Sequence, residues 1–258
     1  MKIQLRSGTI GYLDQGKGPA VLLIHAFPLN NSMWAPQMEA LSAHYRVVAP
    51  DIRGFGESQP ASPWTVDEMA DDLDELLTRI GIPNCVVAGV SLGGYIALPF
   101  WARHTSRVRQ LVLANTRARA DNDTEKTARN EMTTNNEQNG ASILPDRMLP
   151  RLLKPNPSPD AVRLVRGMIE SVDTAAAAYA VMAMRDRSDF SSVVHRIQCP
   201  TMIVTGAEDA IIRPEDSRAI ADAIPGARFV TVPASGHLSN LENPDEFNRA
   251  LLSFLEGT

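Results

Sequence analysis

The sequence predicts an α/β fold in which a mostly parallel β-sheet is flanked by helices. Short runs rich in Val, Ile and Leu alternate along the chain with amphipathic helical patterns. Many of these runs are apolar throughout, which is typical of strands buried on both faces of a parallel sheet. A chain of 258 residues is long enough for one sizeable α/β domain that carries an insertion.

The first part of the chain supplies six predicted strands and three predicted helices. The strands cover Lys2–Arg6, Thr9–Leu13, Val21–His25, Arg46–Ala49, Val86–Ala88 and Val108–Leu113. The helices cover Met33–Ala43, Asp67–Ile80 and Leu92–Arg103. The first two strands are expected to pair antiparallel, because only a short turn separates them. Thr65 and Glu68 have the spacing of a capping box, which predicts the start of the second helix.

The alternation of strands and helices stops near Thr116 and resumes near Val194. The segment between them starts with polar residues and continues as helical pieces, one of which covers Thr174–Arg185. The elements that follow, alternately strand and helix, cover Thr201–Thr205, Pro214–Ala223, Arg228–Val232 and Pro244–Leu255. Asn243 and Glu246 predict a second capping box, at the start of the last helix.

This pattern predicts two domains. Residues 1–115 and 195–258 form an α/β core with a sheet of about eight strands. Residues 116–194 form a helical cap inserted after the sixth strand. An all-helical insertion at this point is expected to lie as a lid over the carboxyl edge of the sheet.

Composition and charge limit the partners of the chain. The net charge of −5 gives no basic surface for nucleic acid. The N-terminus shows no secretory signal, and the longest apolar stretch, from Ala20, is too short to span a bilayer. Cys85 and Cys199 are expected to lie in strands too far apart for a disulfide. We therefore expect a cytoplasmic protein, monomer or homodimer, that acts on a small molecule and binds neither nucleic acid nor membrane.

The stretch Gly89-Val90-Ser91-Leu92-Gly93 carries the most functional information. It follows a predicted strand and precedes a predicted helix. A serine between two glycines at such a junction is typical of a nucleophile elbow, a turn so sharp that its flanking positions cannot carry side chains. The turn would raise the Ser91 hydroxyl above the edge of the sheet, beside the first amides of the helix. Ser91 is therefore the predicted nucleophile.

A serine hydroxyl needs a base, and the base needs an oriented partner. His237 follows the predicted strand Arg228–Val232, and Asp209 follows Thr201–Thr205. The carboxyl ends of parallel strands meet at one edge of a sheet, so both side chains are expected near Ser91. The sequence therefore predicts a Ser91, His237 and Asp209 triad, with Glu208 as the weaker candidate for the acid.

With these motifs the chain resembles the α/β-hydrolase superfamily over nearly its whole length. The stretch from His25 to Pro28 is similar to the family's oxyanion loop, and the segment Asp51–Ser58 also matches a family motif. The resemblance implies that the amides of Phe27 and Leu92 form an oxyanion hole. Ala26 stands where the family usually has glycine.

Four residues are predicted contacts for the substrate: His25, Met168, Met182 and Leu238. His25 is expected chiefly to be a hydrogen-bonding scaffold residue. The methionines would give the lid an adaptable apolar pocket. The sequence has no His, Cys, Asp or Glu cluster with metal-ligand spacing and no phosphate-binding loop, so neither a metal nor a cofactor is expected.

These features predict a serine hydrolase that cleaves small to medium carboxylic esters or lactones through an acyl-enzyme. Within the superfamily the chain is most similar to carboxylesterases and 3-oxoadipate enol-lactone hydrolases, partly through the segment Thr116–Asp121. The alternatives are a carbon–carbon bond hydrolase, a perhydrolase or cofactor-free haloperoxidase of the same fold, and a hydrolase-fold receptor that binds a ligand without turnover.

Overall fold

An eight-stranded β-sheet forms the centre of the part of the chain that the computed structural model describes, residues 1–59 and 62–257. The strands are β1 (Lys2–Leu5), β2 (Gly8–Gln15), β3 (Ala20–Ile24), β4 (Arg46–Pro50), β5 (Cys85–Val90), β6 (Val108–Ala114), β7 (Thr201–Gly206) and β8 (Arg228–Val232). Across the sheet they lie in the order β1-β2-β4-β3-β5-β6-β7-β8. Residues 60, 61 and 258 of the predicted core lie outside the described residues.

Most of the sheet is parallel. β1 pairs antiparallel with β2, and β2 pairs antiparallel with β4. Every other neighbouring pair, from β4 and β3 to β7 and β8, is parallel. The predicted fold class is thereby confirmed. Because the parallel strands point the same way, the loops that follow β5, β6, β7 and β8 meet at one edge of the sheet.

Helices flank the sheet and fill the segment between β6 and β7. The α-helices of the described residues are α1 (Ala35–Leu41), α2 (Val66–Arg79), α3 (Leu92–Arg103), α4 (Asp123–Asn139), α5 (Leu144–Leu152), α6 (Pro159–Glu170), α7 (Thr174–Arg185), α8 (Pro214–Ala223), α9 (Ser239–Glu242) and α10 (Pro244–Glu256). α2 packs against α3, and α1 packs against α10. Helices α4 to α7 occupy the place of the expected cap, where α4 packs against α7 and α5 against α6. The division into core and cap stays a prediction.

The predicted boundaries of the strands and helices lie within two residues of the observed ones. The first predicted helix, Met33–Ala43, differs in kind at its start. Asn31–Trp34 form a 3-10 turn, in which the Asn30 side chain accepts a hydrogen bond from the amide of Ser32. α1 follows with Pro36 in its first turn, the position where a helix tolerates a proline.

One of the two predicted capping boxes is confirmed. At α2 the Glu68 amide donates to Thr65 Oγ1 at 3.1 Å, and the Thr65 amide donates to Glu68 Oε2 at 2.8 Å. At α10 the predicted N-cap is confirmed, because Asn243 Oδ1 accepts from the Glu246 amide at 3.3 Å, but the return bond that would complete the box is not formed among the described residues. The Asn243 amide already donates to the carbonyl of Ser239, so the Glu246 carboxylate pairs with Arg249 instead, at 2.6 Å.

The apolar core runs through the whole sheet. Every residue of β5 is buried, as the uninterrupted apolar pattern predicted. Cys85 and Cys199 are both free, and β6 lies between β5, which contains Cys85, and β7, which Cys199 precedes. None of the described helices is long and apolar enough to cross a membrane.

Candidate active site

Ser91 lies in the turn between β5 and α3. Its φ of 54° and ψ of −113° are a strained combination for a residue with a side chain. Hydrogen bonds hold the turn on both sides: the Ser91 amide donates to the Ala114 carbonyl at 2.9 Å, and the Ser91 carbonyl accepts from the Gly94 amide at 2.9 Å. Thr116 Oγ1 donates to the same carbonyl at 2.9 Å. The strand–turn–helix setting predicted for Ser91 is therefore present.

The two glycines beside Ser91 are required by close backbone contacts. A Cβ atom at Gly89 would lie 2.2 Å from the Gly93 carbonyl oxygen. A Cβ atom at Gly93 would lie 2.1 Å from the carbonyl oxygen of Ile24 in β3. Any side chain at either position would push α3 away from the sheet, so the pattern found in the sequence follows from packing.

His237 and Asp209 meet at the carboxyl edge of the sheet, in the loops after β8 and β7. His237 Nδ1 lies 3.0 Å from Asp209 Oδ1 and 2.9 Å from Oδ2. Both side chains are almost fully buried. The loops themselves touch, since a Cβ atom at Gly206 would lie 1.9 Å from the Gly236 carbonyl oxygen. Glu208, the weaker candidate for the acid, is exposed.

The Asp209 carboxylate accepts hydrogen bonds from several donors besides His237. Oδ1 accepts from the amides of Ile211 and Ile212 at 2.8 and 2.9 Å, and Oδ2 accepts from Asn115 Nδ2 at 2.9 Å. Burial by itself would raise the pKa of Asp209, but the charge of His237 and these hydrogen bonds together lower it. The carboxylate is thus held ionised next to the imidazole.

Asn115 is a residue of the site that the sequence analysis missed. It follows β6 with a φ of 49°, and its side chain is completely buried. Besides its bond to Asp209, Nδ2 donates to the Gly236 carbonyl at 3.3 Å, and Oδ1 accepts from Ser239 Oγ at 2.6 Å. Its position at a strand end was the available signal, because the same rule selected Asp209 and His237.

A cavity of about 170 Å³ opens above Ser91 and His237. Its lining consists of Phe27, Ser91, Tyr95, Arg117, Glu125, Ala128, Arg129, Met132, Met148, Arg151, Met184, Ile211, Ile212 and His237. Helices α4, α5 and α7 contribute side chains to this lining. The wall is both apolar and charged, whereas the sequence predicted an apolar pocket.

Two backbone amides are available near Ser91. Leu92 is the first residue of α3 and Phe27 lies in the loop after β3. Within the described part of the chain, neither amide donates a hydrogen bond to another residue. The Phe27 side chain also lines the cavity. A free amide at a helix N-terminus favours the binding of negative charge.

His25 has the hydrogen-bonding scaffold position that was chiefly expected of it, and not that of a substrate contact. It is fully buried, and its Nε2 accepts from the Ile52 amide at 2.8 Å. The proton therefore lies on Nδ1, which donates to the Ala26 carbonyl at 2.9 Å. Burial lowers the pKa of His25 to about 4. With both nitrogens bonded to the backbone, His25 braces the loop and has no free group for a substrate.

The other predicted substrate contacts also lie outside the cavity lining. Met168 and Leu238 are buried in the apolar core, and Met182 is half-buried. Three other methionines, Met132, Met148 and Met184, line the cavity. Residues 182 and 184 are two positions apart on α7 and therefore point to different sides of the helix. Composition identified the type of residue but not which methionines face the site.

A buried ion cluster stands beside the cavity. The fully buried Asp121 carboxylate pairs with Arg117, Arg129 and Arg187 at 2.5, 3.1 and 2.9 Å. Burial opposes ionisation, but the hydrogen bond from Arg187 and the neighbouring charges lower the pKa of Asp121 to about 2. The guanidinium of Arg187 also stacks on the Tyr95 ring, 4.0 Å from its centroid. The cluster joins the start of the helical segment to α3 and α7.

Glu242 connects the helical segment to the loop of His237. Its carboxylate accepts from the Lys154 amide at 2.8 Å and from the Gly236 amide at 2.7 Å. The Leu152 carbonyl at the end of α5 accepts from the His237 amide at 3.1 Å. Burial raises the pKa of Glu242. Two segments far apart in the chain, residues 152–154 and 236–242, are thus joined to each other around the histidine.

Among the described residues, no group of three or more His, Cys, Asp or Glu side chains is arranged to bind a metal ion. The acidic residues near the cavity, Asp121 and Glu125, are bonded to arginines.

The sequence matches the alpha/beta hydrolase fold family over residues 19–244. The chain belongs to this family. The match spans the turn of Ser91, Asp209 and His237, and it includes the helices between β6 and β7.

Individual relatives differ in the activities for which they are named. A thermophilic esterase from Thermogutta terrifontis, solved with malate bound, is 35% identical, with a TM-score of 0.95 over 100% of this chain and 98% of its own. The 3-oxoadipate enol-lactonase 1 of Acinetobacter baylyi is 28% identical over 92% of this chain and 89% of its own. A bromoperoxidase from Bacillus anthracis is 26% identical, with a TM-score of 0.87 over 96% of each chain.

Proposed function

We propose that this protein is a serine hydrolase that cleaves small to medium carboxylic esters or lactones. The observation that carries the proposal is the geometry of three strand-end loops. Ser91, at a strained turn, and His237, hydrogen-bonded to Asp209, line one cavity. Family relatives named as an esterase and an enol-lactonase support the ester and lactone class.

In the proposed reaction Ser91 Oγ attacks the acyl carbon while His237 Nε2 takes its proton. Asp209 keeps the proton of the neutral imidazole on Nδ1, so that Nε2 is free to act as the base. The tetrahedral intermediate collapses when His237 gives its proton to the leaving oxygen. A water molecule, deprotonated by the same Nε2, then attacks the acyl-enzyme and releases the acid and the Ser91 hydroxyl.

The amides of Phe27 and Leu92 are the proposed oxyanion hole. Both are without a hydrogen-bond partner in the described part of the chain, and Leu92 adds the positive end of the α3 dipole. Such donors strengthen as negative charge develops on the acyl oxygen. Loss of one such donor typically lowers turnover by ~100- to 1,000-fold. The proposed reaction uses no metal and no organic cofactor. We also propose that the protein acts in the cytoplasm.

The test is the variant Ser91→Ala with 4-nitrophenyl butyrate as the substrate. We expect a loss of kcat of at least ~1,000-fold with an unchanged circular dichroism spectrum. A fluorophosphonate probe should label the wild-type protein at Ser91 and leave the variant unlabelled. Retained esterase activity in Ser91→Ala, or labelling at another residue, would contradict the assignment of the nucleophile.

A perhydrolase activity is the second candidate, because the bromoperoxidase from Bacillus anthracis has the same fold over nearly the whole chain. In that reaction hydrogen peroxide replaces water in the attack on the acyl-enzyme and yields a peracid. Assays with acetate esters in the presence and absence of peroxide distinguish the two. Peracid formation faster than hydrolysis would favour the second candidate.

A further inference from the structure

Three arginines line the cavity that holds Ser91 and His237: Arg117, Arg129 and Arg151. One carboxylate, Glu125, lines it as well. An ester or lactone needs no cation for its own neutral carbonyl group. The positive charge of this wall is therefore not explained by the proposed hydrolysis. It indicates that the substrate carries an anionic group besides the ester or lactone bond.

The internal carboxylates leave part of this positive charge unbalanced. Asp121 is shared by Arg117, Arg129 and Arg187, and Glu125 is shared by Arg117 and Arg119. Four guanidinium groups are thus paired with three carboxylates, because Asp216 also lies 3.9 Å from Arg119. The hydrogen bonds from Arg119 lower the pKa of Glu125 to about 2. The carboxylates of Glu125 and Asp121 are therefore both ionised, and each contributes its full negative charge to this balance.

Two of the lining arginines have unused hydrogen-bonding capacity. The Arg117 side chain is 8% exposed, and its Nε is buried without a partner. Within the described residues, Arg151 makes no ion pair and no hydrogen bond, although it lines the same cavity. Its side chain is exposed, so it stands where the cavity meets solvent. A buried guanidinium donor without a partner is costly unless a ligand supplies an acceptor.

We propose that this wall is a subsite for an ionised carboxylate on the substrate, with Arg151 as its principal contact. A guanidinium binds a carboxylate through two parallel hydrogen bonds, which gives both affinity and orientation. The exposed position of Arg151 lets the anion keep part of its hydration as it binds. The substrate class would then be acidic esters or lactones, in which a free carboxylate accompanies the scissile acyl group.

This inference rests on the proposed function, and matched pairs of esters test it. In the first pair the acid is on the acyl side, with 4-nitrophenyl hydrogen adipate compared with 4-nitrophenyl hexanoate. In the second pair it is on the leaving group, with 4-acetoxybenzoate compared with its methyl ester. In at least one pair we expect kcat/KM to be tenfold or more higher for the charged ester at low ionic strength. The preference should shrink in high salt, because salt screens an exposed ion pair.

The variant Arg151→Gln removes the charge and keeps a polar side chain. We expect the preference of the charged over the neutral ester to fall at least tenfold. Arg147→Gln is the matched control, because Arg147 is an exposed arginine one turn earlier on α5 and does not line the cavity. In that control the preference should stay within twofold of the wild-type value.

The outcomes separate this inference from the proposed function. Hydrolysis of the neutral esters without a preference for either charged ester, or a preference that survives in Arg151→Gln, overturns the subsite. If neither ester of either pair is hydrolysed, the proposed function fails instead. Calorimetry with adipate then tests the subsite by itself, and binding that weakens in Arg151→Gln but not in Arg147→Gln supports it. Equal binding in all three proteins, or none, overturns it.

Discussion

Removal of the Asn115 side chain tests the support of the proposed acid. Asn115 is joined to Asp209, to the Gly236 carbonyl and to Ser239 by side-chain hydrogen bonds. The variant of choice is Asn115→Gly, because the φ of 49° at this position is open to glycine without strain. The substitution therefore removes the three hydrogen bonds and leaves the backbone free to keep its path.

The expected loss of kcat/KM follows from the hydrogen bonds that the substitution removes. A hydrogen bond to a charged acceptor contributes about 1.5–3 kcal/mol, and a neutral one about 1 kcal/mol. The bond to Asp209 Oδ2 is of the first kind, and the short bond from Ser239 is of the second. Asp209 keeps its bonds from Ile211 and Ile212 on Oδ1, so the carboxylate loses one anchor of several. We expect a ~10- to 100-fold loss of kcat/KM, which corresponds to about 1.4–2.8 kcal/mol.

The assay compares kcat/KM for 4-nitrophenyl butyrate with the free energy of unfolding in urea. The free energy of unfolding of Asn115→Ala should be about 1–2 kcal/mol lower than that of Asn115→Gly, because a positive φ is sterically unfavourable for alanine. Ser239→Ala is the matched control, since it removes only the partner of Oδ1 and leaves the bond to Asp209. It should lower kcat/KM less than fivefold. A folded Asn115→Gly protein with kcat/KM within twofold of wild type would refute the reasoning.

Two further predictions concern packing and pH. Gly93→Ala should lower the free energy of unfolding by about 3 kcal/mol or more, because the new Cβ lies 2.1 Å from a backbone oxygen. Gly167→Ala, where a Cβ meets nothing within 4 Å, should instead stabilise α6 by up to about 1 kcal/mol. Equal losses of unfolding free energy for the two variants in urea would show that the close contact at Gly93 is not the cause. Burial raises the pKa of Asp51 to about 6 from an ordinary value of 3.8. The folded state thus holds the proton more tightly, and the stability gained below pH 4 is lost as pH rises through 6. Relative to Asp51→Asn, the wild type should lose about 2.4 kcal/mol of unfolding free energy between pH 4 and pH 7, and a constant difference would contradict the raised pKa.

The parts of the fold that the sequence predicted are those fixed by local pattern. The turn at Ser91 is an example, because the glycines at 89 and 93 are required by backbone contacts within the turn and with β3, the neighbouring strand in the sheet. Asp209 and His237 needed only one further rule, that the carboxyl ends of parallel strands share an edge. Their contact at 2.9 Å then follows from the order of β7 and β8 in the sheet.

The parts that the sequence did not predict depend on which side chains meet across long separations. Asn115 and Asp209 are 94 residues apart in the chain, and no periodicity connects them. The cavity was expected to be apolar because α7 is rich in Ala and Met, yet the arginines that line it come from other segments. The direction of one side chain on a helix, as for Met182 and Met184, is set by packing that a single sequence does not encode locally.

The bonds that Glu242 and Leu152 make around His237 limit how the helical segment can be exchanged for that of another hydrolase. A chimera that replaces residues 116–194 removes the carbonyl of Leu152 and the amide of Lys154 together. Glu242 would then keep only the hydrogen bond from the Gly236 amide and lack its second donor, beside the loop of His237, the proposed general base. A successful graft must therefore either bring an equivalent amide to that carboxylate or replace Glu242 at the same time.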